Sequence, residues 1–299
     1  LVLTLIFKGE TMRRLTTKSF RIFLALLAVS FLPVLTSAQK VETHVGKWTG
    51  HADTGKQLYF RYCWGCHGFR GDGTGENGPY LNILPRNFVA AQFKCRSTPT
   101  GTLPTDEDLY DTIERGIVNS NMPSWVTLTG QNRADLIAFI KTFSPRWTAE
   151  KPGEPLHVPA EPKLTLDSMK HGQALFQKLE CWKCHGQEGR GDGPSASTLT
   201  DNNDQPIHPF NFAAGSRFKC GTTNEDLYKI FNTGLDGTPM PSFADVVKPD
   251  EAWDLVHYLR TLQVTHKSPE LTMWESTKEG AQEVAAKAPS GTPTGSGVR

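Results

Sequence analysis

The chain has 299 residues, with 32 lysines and arginines against 31 aspartates and glutamates, a formal net charge of +1. That balance excludes a strongly basic nucleic-acid binder, and the length fits two domains better than one. Hydrophobic residues make up 37% of the chain, a modest share that leaves room for a core filled partly by something other than side chains, and six cysteines are too few for a disulfide scaffold of this length.

The first 38 residues are expected to be a doubtful start followed by a secretory signal. Met12 is a better initiator than Leu1, and Arg13, Arg14, Lys18 and Arg21 give it a cationic lead. An apolar run from Ile22 to Leu35 follows, and Thr36-Ser37-Ala38 offers small residues for cleavage before Gln39. The alternative is an uncleaved membrane anchor, but the run is shorter than the about 20 residues a spanning helix needs. Removing 1–38 takes away five basic residues and one acid, leaving 27 against 30 and a net charge of −3. The mature protein is expected in the periplasm.

Residues 39–146 and 166–265 read as two copies of one domain. Cys63-Trp64-Gly65-Cys66-His67-Gly68 recurs as Cys181-Trp182-Lys183-Cys184-His185-Gly186, an offset of 118. Glu107-Asp108-Leu109-Tyr110 and Met122-Pro123-Ser124 recur at the same offset, as Glu225-Asp226-Leu227-Tyr228 and Met240-Pro241-Ser242. Between these anchors the register slips: Asn87-Phe88 matches Asn211-Phe212 at 124, and Phe93-Lys94-Cys95 matches Phe218-Lys219-Cys220 at 125. Each copy predicts three helices. The first runs into the cysteine motif, over 55–62 and 172–180. The second starts at Thr105 or Thr223, each with an aspartate three residues on, a capping box with Asp in place of Glu or Gln. The third carries apolar residues at helical spacing, Leu136, Phe139, Ile140 and Phe143 in one copy and Leu255, Tyr258, Leu259 and Leu262 in the other. No alternating strand pattern is present, so the fold class is all-α. A proline-rich linker, 147–165, reads as extended and semi-rigid. The polar stretch 266–299 reads as a flexible tail.

Cys-x-x-Cys-His is the attachment signature of c-type haem. The two thiols add to the two porphyrin vinyl groups, and the adjacent histidine projects beneath the iron. Cys63, Cys66, Cys181 and Cys184 are therefore expected to bind two covalent haems, with His67 and His185 as iron ligands. A four-thiolate zinc site made from both cysteine pairs would leave both histidines unexplained. A thioredoxin-type dithiol would need a βαβ setting that neither motif has. Elimination among the five methionines leaves Met122 and Met240, each 55 residues after its own histidine and each followed by proline, as sixth ligands; the competing reading of a lone methionine is core filler. With both axial positions filled, no catalytic residue is expected. The carbonyls of Gly78-Pro79 and Gly193-Pro194 are expected to receive the other histidine nitrogen. Trp64 and Trp182 either cover the haem edge or simply pack. Arg86, Arg115 and Arg217 either pair with propionates or are solvated. Cys95 and Cys220, the leftover pair, are buried hydrophobes, an inter-domain disulfide, or reactive thiols.

With these motifs the sequence resembles class I c-type cytochromes in a tandem dihaem form, like the cytochrome c4 group, over roughly residues 50–145 and 166–264. The resemblance implies a helix before each Cys-x-x-Cys-His, a C-terminal helix crossing it, and His/Met ligation by the residues named. Gly71-Asp72-Gly73, Gly191-Asp192-Gly193 and the Asn-Phe and Met-Pro-Ser elements look like cytochromes found beside respiratory oxidoreductases. The expected function is single-electron transfer between donor and acceptor redox proteins, some of them membrane-bound, with no role for nucleic acid. Two alternatives stand beside it. One is a dihaem enzyme of the peroxidase or thiosulfate dehydrogenase type, in which His208 would replace Met240. The other is a fixed subunit of a larger complex such as a nitrite oxidoreductase.

Overall fold

In the computed structural model the described residues are 41–214, 217–263 and 269–277, with 280 and 282. The expected leader lies outside them. Among the described residues no helix is long and apolar enough to cross a membrane.

The first copy opens with a short antiparallel pair, β1 (His44–Val45) and β2 (Trp48–Thr49), too brief to leave an alternating pattern in the sequence. Helix α1 (Ala52–Tyr62) leads into α2 (Trp64–His67), the single turn that carries the cysteine motif. Then come α3 (Asp106–Arg115), α4 (Gly130–Lys141) and the one-turn α5 (Arg146–Ala149). The second copy repeats the plan with α6 (Leu166–Lys178), α7 (Trp182–His185), α8 (Asn224–Thr233) and α9 (Pro249–Thr261), to which α10 (Pro269–Glu275) is added. Each copy has its own hydrophobic core. Tyr59, Phe88, Leu103, Leu136 and Ile137 lie in the first, and Met169, Phe176, Phe212, Val256 and Tyr258 in the second.

The capping aspartates form as the sequence predicts. Asp108 N donates to Thr105 Oγ1 at 3.1 Å while Asp108 Oδ2 accepts from Thr105 N at 3.0 Å, and Asp226 and Thr223 repeat the exchange at 3.0 and 2.9 Å. Each aspartate does more than cap. Asp108 also holds Ser97 N and Oγ, and Asp226 holds Thr222 N. These are the second residues after Cys95 and Cys220, so the start of each helix fixes the segment that carries the leftover cysteine.

Those two cysteines are joined. The Cys95–Cys220 disulfide links the copies with its Cα atoms 5.2 Å apart, which decides among the three readings of the pair. Around it Arg96 Nη2 donates to Thr233 O at 2.6 Å and pairs with Asp236 at 2.7 Å. The register slips now have a location. Ten positions separate Cys95 from Thr105 but three separate Cys220 from Thr223, and the extra loop sends Thr100 Oγ1 and Gly101 N across to Asp236 at 2.7 and 2.9 Å. The second copy has its own longer loop before Asn211, and there Asn202 Nδ2 donates to Gln92 Oε1 of the first copy at 2.8 Å. Each insertion reaches the other copy.

The linker is strapped down along its length. Trp147 is buried in the first core, Gly153 N and Leu156 N donate to Leu103 O and Ser97 O, and Leu156, Val158 and Leu164 pack on the second core. The expectation of a tail free from 266 needs revision for residues 269–277. Helix α10 buries Trp274 edge-on against Tyr258, with ring centroids 6.4 Å apart. Burial of one large aromatic removes a substantial apolar surface from water and helps to hold this short helix in place. The sequence from 283 onward lies outside the described residues.

In each copy the first and last long helices cross at a glycine. A Cβ on Gly55 would overlap the Asp135 carbonyl of α4, and one on Gly172 would overlap the Asp254 carbonyl of α9. Alanine normally gains about 1 kcal/mol over glycine inside a helix. Here the clash is with backbone, so overpacking of about 1–3 kcal/mol or more should outweigh that gain. Gly172→Ala is expected to lower the Tm of the purified protein. A Tm at or above that of the parent would remove the close crossing as a constraint.

Candidate functional site

The two cysteine motifs are built by the same hydrogen bonds. His67 N donates to Cys63 O at 3.0 Å and His185 N to Cys181 O at 2.9 Å, closing one helical turn that sets both thiols and the histidine on a short arc. Gly68 and Gly186 end the turn with φ of +84° and +78°, a region that favours glycine. The following loop then folds back on the motif. Gly73 N donates to His67 O, Gly75 N to Cys66 O and Asn77 N to Gly65 O; Gly191, Gly193 and Ser195 make the corresponding bonds to His185, Cys184 and Lys183. These bonds put Gly73 opposite Gly191. The two Gly-Asp-Gly elements therefore sit two places apart in register, although the carboxylates of Asp72 and Asp192 both lie against the glycine that ends the turn, Gly68 and Gly186.

Both histidines are fixed through Nδ1. His67 Nδ1 lies 3.1 Å from Arg86 O and His185 Nδ1 3.0 Å from Phe210 O. The expected acceptors, the carbonyls of Gly78-Pro79 and Gly193-Pro194, are not used, because those stretches turn back against the cysteine backbone on another side of the motif. A carbonyl accepts only, so Nδ1 carries the proton and Nε2 presents its lone pair. Burial pushes both imidazoles below their ordinary pKa, which keeps them neutral. His67 stacks on Phe88, with centroids 4.4 Å apart and planes 17° apart, and His185 leans on Phe212 at 5.0 Å. The signal for this support was the recurring Asn-Phe pair, whose role the sequence did not disclose.

The four motif cysteines are free thiols, in contrast to the bonded pair Cys95–Cys220. Burial, and then the neighbouring Cys66, pushes Cys63 up to about 12, and burial does the same for Cys181. The two motifs belong to different hydrophobic cores, Cys63 packing on one and Cys181 on the other. Among the described residues no group of three or more His, Cys, Asp or Glu converges to hold a metal ion. A shared four-thiolate site is therefore not formed.

The methionine loops are also duplicates. Met122 O accepts from Ile117 N and Met240 O from Leu235 N, both at 3.1 Å, while Met122 N and Met240 N donate to Ser120 Oγ and Thr238 Oγ1. Ser124 Oγ donates to Glu114 O and Ser242 Oγ to Asn232 O, each at 2.6 Å, tying each loop to the last turn of α3 or α8. Gly116 and Gly234 follow those helices at φ of +70° and +68°, and a Cβ at either would crowd the Met-Pro backbone. Both methionines are half-buried, and Met240 packs on the second core. His208 is exposed and Arg217 likewise. Trp64 and Trp182 pack against their own cores. Arg115 borders the cavity of about 50 Å³ beside the disulfide, while Arg86 lies between the copies.

These donor sets suit a c-type haem. Each copy offers two unbonded thiols one turn apart, a neutral histidine held at Nδ1, and a methionine on a stiffened loop. Comparison with known proteins agrees. Residues 169–263 match the family Cytochrome c, and residues 50–140 match the family Cytochrome C oxidase, cbb3-type, subunit III. No curated protein matches the chain. A solved structure described as the Kuenenia stuttgartiensis reducing HAO-like protein complex Kustc0457/Kustc0458 has a chain 44% identical to this one, covering 71% of this chain and 97% of that one, with a TM-score of 0.69.

Removing the serine clamp takes one hydrogen bond from a helix-end carbonyl, a loss of about 1 kcal/mol; Asn232 O loses its loop donor, whereas Glu114 O keeps Trp125 N at 3.1 Å. Ser242→Ala should lower the free energy of unfolding by that amount, read as a lower denaturant midpoint at an unchanged m-value, and Ser124→Ala should lower it less in the first copy. An unchanged midpoint in both would mean the loops are held by their backbone bonds alone.

Proposed function

The chain belongs to the c-type cytochromes, with two cytochrome c domains in tandem, and from that premise we propose that it is a dihaem protein transferring single electrons between redox partners. Cytochrome c domains imply covalently bound haem c. In this reading Cys63, Cys66, Cys181 and Cys184 are the thioether donors, His67 and His185 the proximal ligands, and Met122 and Met240 the distal ones. The observation that carries the reading is the matched pair of Nδ1–carbonyl bonds, which leaves one Nε2 lone pair per domain for a metal.

Haem bound in this way supplies a one-electron ferric/ferrous couple whose potential a thioether ligand raises. The protein's part is to hold that couple still. Arg86 and Phe210 carbonyls orient the imidazoles and Phe88 and Phe212 back them, and the tethered methionine loops would supply the second protein donor to each iron. Ligation filled in this way would limit rearrangement on electron transfer and would leave no position for peroxide or thiosulfate. The exposed placement of His208 also speaks against its replacing Met240. The cationic lead, apolar run and small-residue site in 1–38 support export to the periplasm.

A second reading has one specific observation behind it. The 44% identical chain belongs to a structure described as a reducing HAO-like protein complex. A chain so similar along nearly the whole of that neighbour fits the role of an electron-transfer subunit docked to a larger redox enzyme, here an HAO-like protein rather than a nitrite oxidoreductase.

An optical redox titration of purified holoprotein tests the assignment. The expected result is two low-spin haems per chain. Met122→Ala and Met240→Ala should each convert one haem to high spin and lower its potential, leaving the other haem low-spin. A high-spin haem in the parent protein, or enzyme-like turnover of peroxide or thiosulfate, would overturn the carrier reading. Co-purification with a large multihaem enzyme would select the subunit role.

A further inference from the structure

Buried and half-buried cations gather where the two copies meet. Arg86 begins beside the first motif, where its carbonyl holds His67 Nδ1. Its guanidinium ends beside the second copy: Nη1 is 3.2 Å from where a Cβ of Gly237 would stand, three residues before Met240. Lys94 and Lys219 occupy equivalent positions, each one residue before a cysteine of the inter-domain disulfide, so the disulfide draws them together. Lys94 is only 9% exposed. Burial, Arg86 and Lys219 push its ammonium down to about 8, and burial and Arg86 push Lys219 in the same direction.

These charges lack sufficient anions. Arg96, the fourth cation of the seam, is answered by Asp236 and by three carbonyls. Among the described residues Arg86, Lys94 and Lys219 make no ion pair within 4.0 Å. The other carboxylate that acts on them is Asp201, whose Oδ1 already accepts from Asn203 N and Gln205 N. A buried cation without a partner is costly, and a group of three invites a carboxylate ligand.

We propose that Arg86, Lys94 and Lys219 form one inter-domain cradle for the propionate carboxylates of both haems. This rests on the dihaem reading above. The place of the cluster, between the first histidine and the second methionine loop, lets one set of cations act on both redox centres. Positive charge beside a haem favours its reduced form, because the ferrous centre carries one positive charge fewer. The cradle therefore raises both potentials together and couples them, so that reduction of one haem is felt at the other through shared counter-charges.

The test is an optical redox titration of the holoprotein for the parent, Lys94→Gln, Lys219→Gln, Lys94→Arg and, as a control for net charge, the exposed Lys56→Gln. Each glutamine variant at the seam should lower the midpoints of both haems. The expected size is about a threefold change in the reduction equilibrium, or about 30 mV for one electron. Lys94→Arg should keep the parent values and Lys56→Gln should leave them unmoved. Thermal melting gives a second readout. Loss of a cation paired to propionate lowers the holoprotein Tm, whereas loss of an unpaired buried cation raises it. Two-haem variants with unmoved midpoints overturn the cradle alone, and so does a shift confined to the haem of the substituted domain. Repeating the titrations with and without inorganic phosphate separates propionate from a free anion: midpoints that depend on phosphate overturn the assignment to propionate. A parent protein with fewer than two haems overturns the functional reading itself.

Discussion

Everything in this protein depends on two long helices coming close enough to touch backbone to backbone. Gly55 in α1 and Gly172 in α6 lie against the carbonyls of Asp135 and Asp254, and the aromatic rings one turn further on, Phe139 and Tyr258, close over the same contact. The first helix of each pair delivers its cysteine motif at its C-terminal end. The depth of the crossing therefore sets where the motif lies relative to the core. Moving the helices apart by the width of a methyl group would carry the thiols and the histidine with them. That explains why two copies with little sequence in common outside their anchors place their motifs by the same hydrogen bonds.

The parts legible in the sequence are those whose cause is local. The capping boxes at Thr105 and Thr223 announce α3 and α8 because cap and aspartate are three residues apart. The Cys-x-x-Cys-His turn is legible because one helical turn contains all of it. The histidine acceptors were not legible: Arg86 and Phe210 contribute only their carbonyl oxygens, and no side-chain signal marks a carbonyl that a tertiary fold brings to a ring nitrogen. The Cys95–Cys220 bond stood open among three readings for the same reason, since pairing depends on how the copies dock. Helix α10 is not legible in the sequence because the polar composition of the stretch from 266 argues for disorder, while the burial of Trp274 depends on the tertiary fold.

The register slips turn out to be the devices that join the copies. A duplicated domain begins with two identical surfaces and no reason for them to adhere. Here the first copy has lengthened its loop after Cys95 and the second has lengthened its loop before Asn211, and each addition reaches the neighbouring copy, at Asp236 and at Gln92. The cysteine motifs and methionine loops stayed in step at 118, and the histidine supports, Arg86 and Phe88 against Phe210 and Phe212, kept their contacts at an offset of 124. The lengthened loops between these anchors build the seam. Divergence between the copies has gone into assembly and left the motif chemistry duplicated.

The bond between Cys95 and Cys220 also changes what the polypeptide is as a connected object. It closes a covalent ring across 125 positions of sequence, and that ring contains α4, the whole linker, α6 and the second cysteine motif. The linker is also the one stretch of peptide that joins the two domains, and its lysines Lys151 and Lys163 are exposed. A single cut there opens the ring without dividing the molecule. The two domains remain one covalent species until a reductant acts as well. The protein thus has two independent tethers in parallel, one of peptide and one of sulfur, and its domains separate only when both are broken.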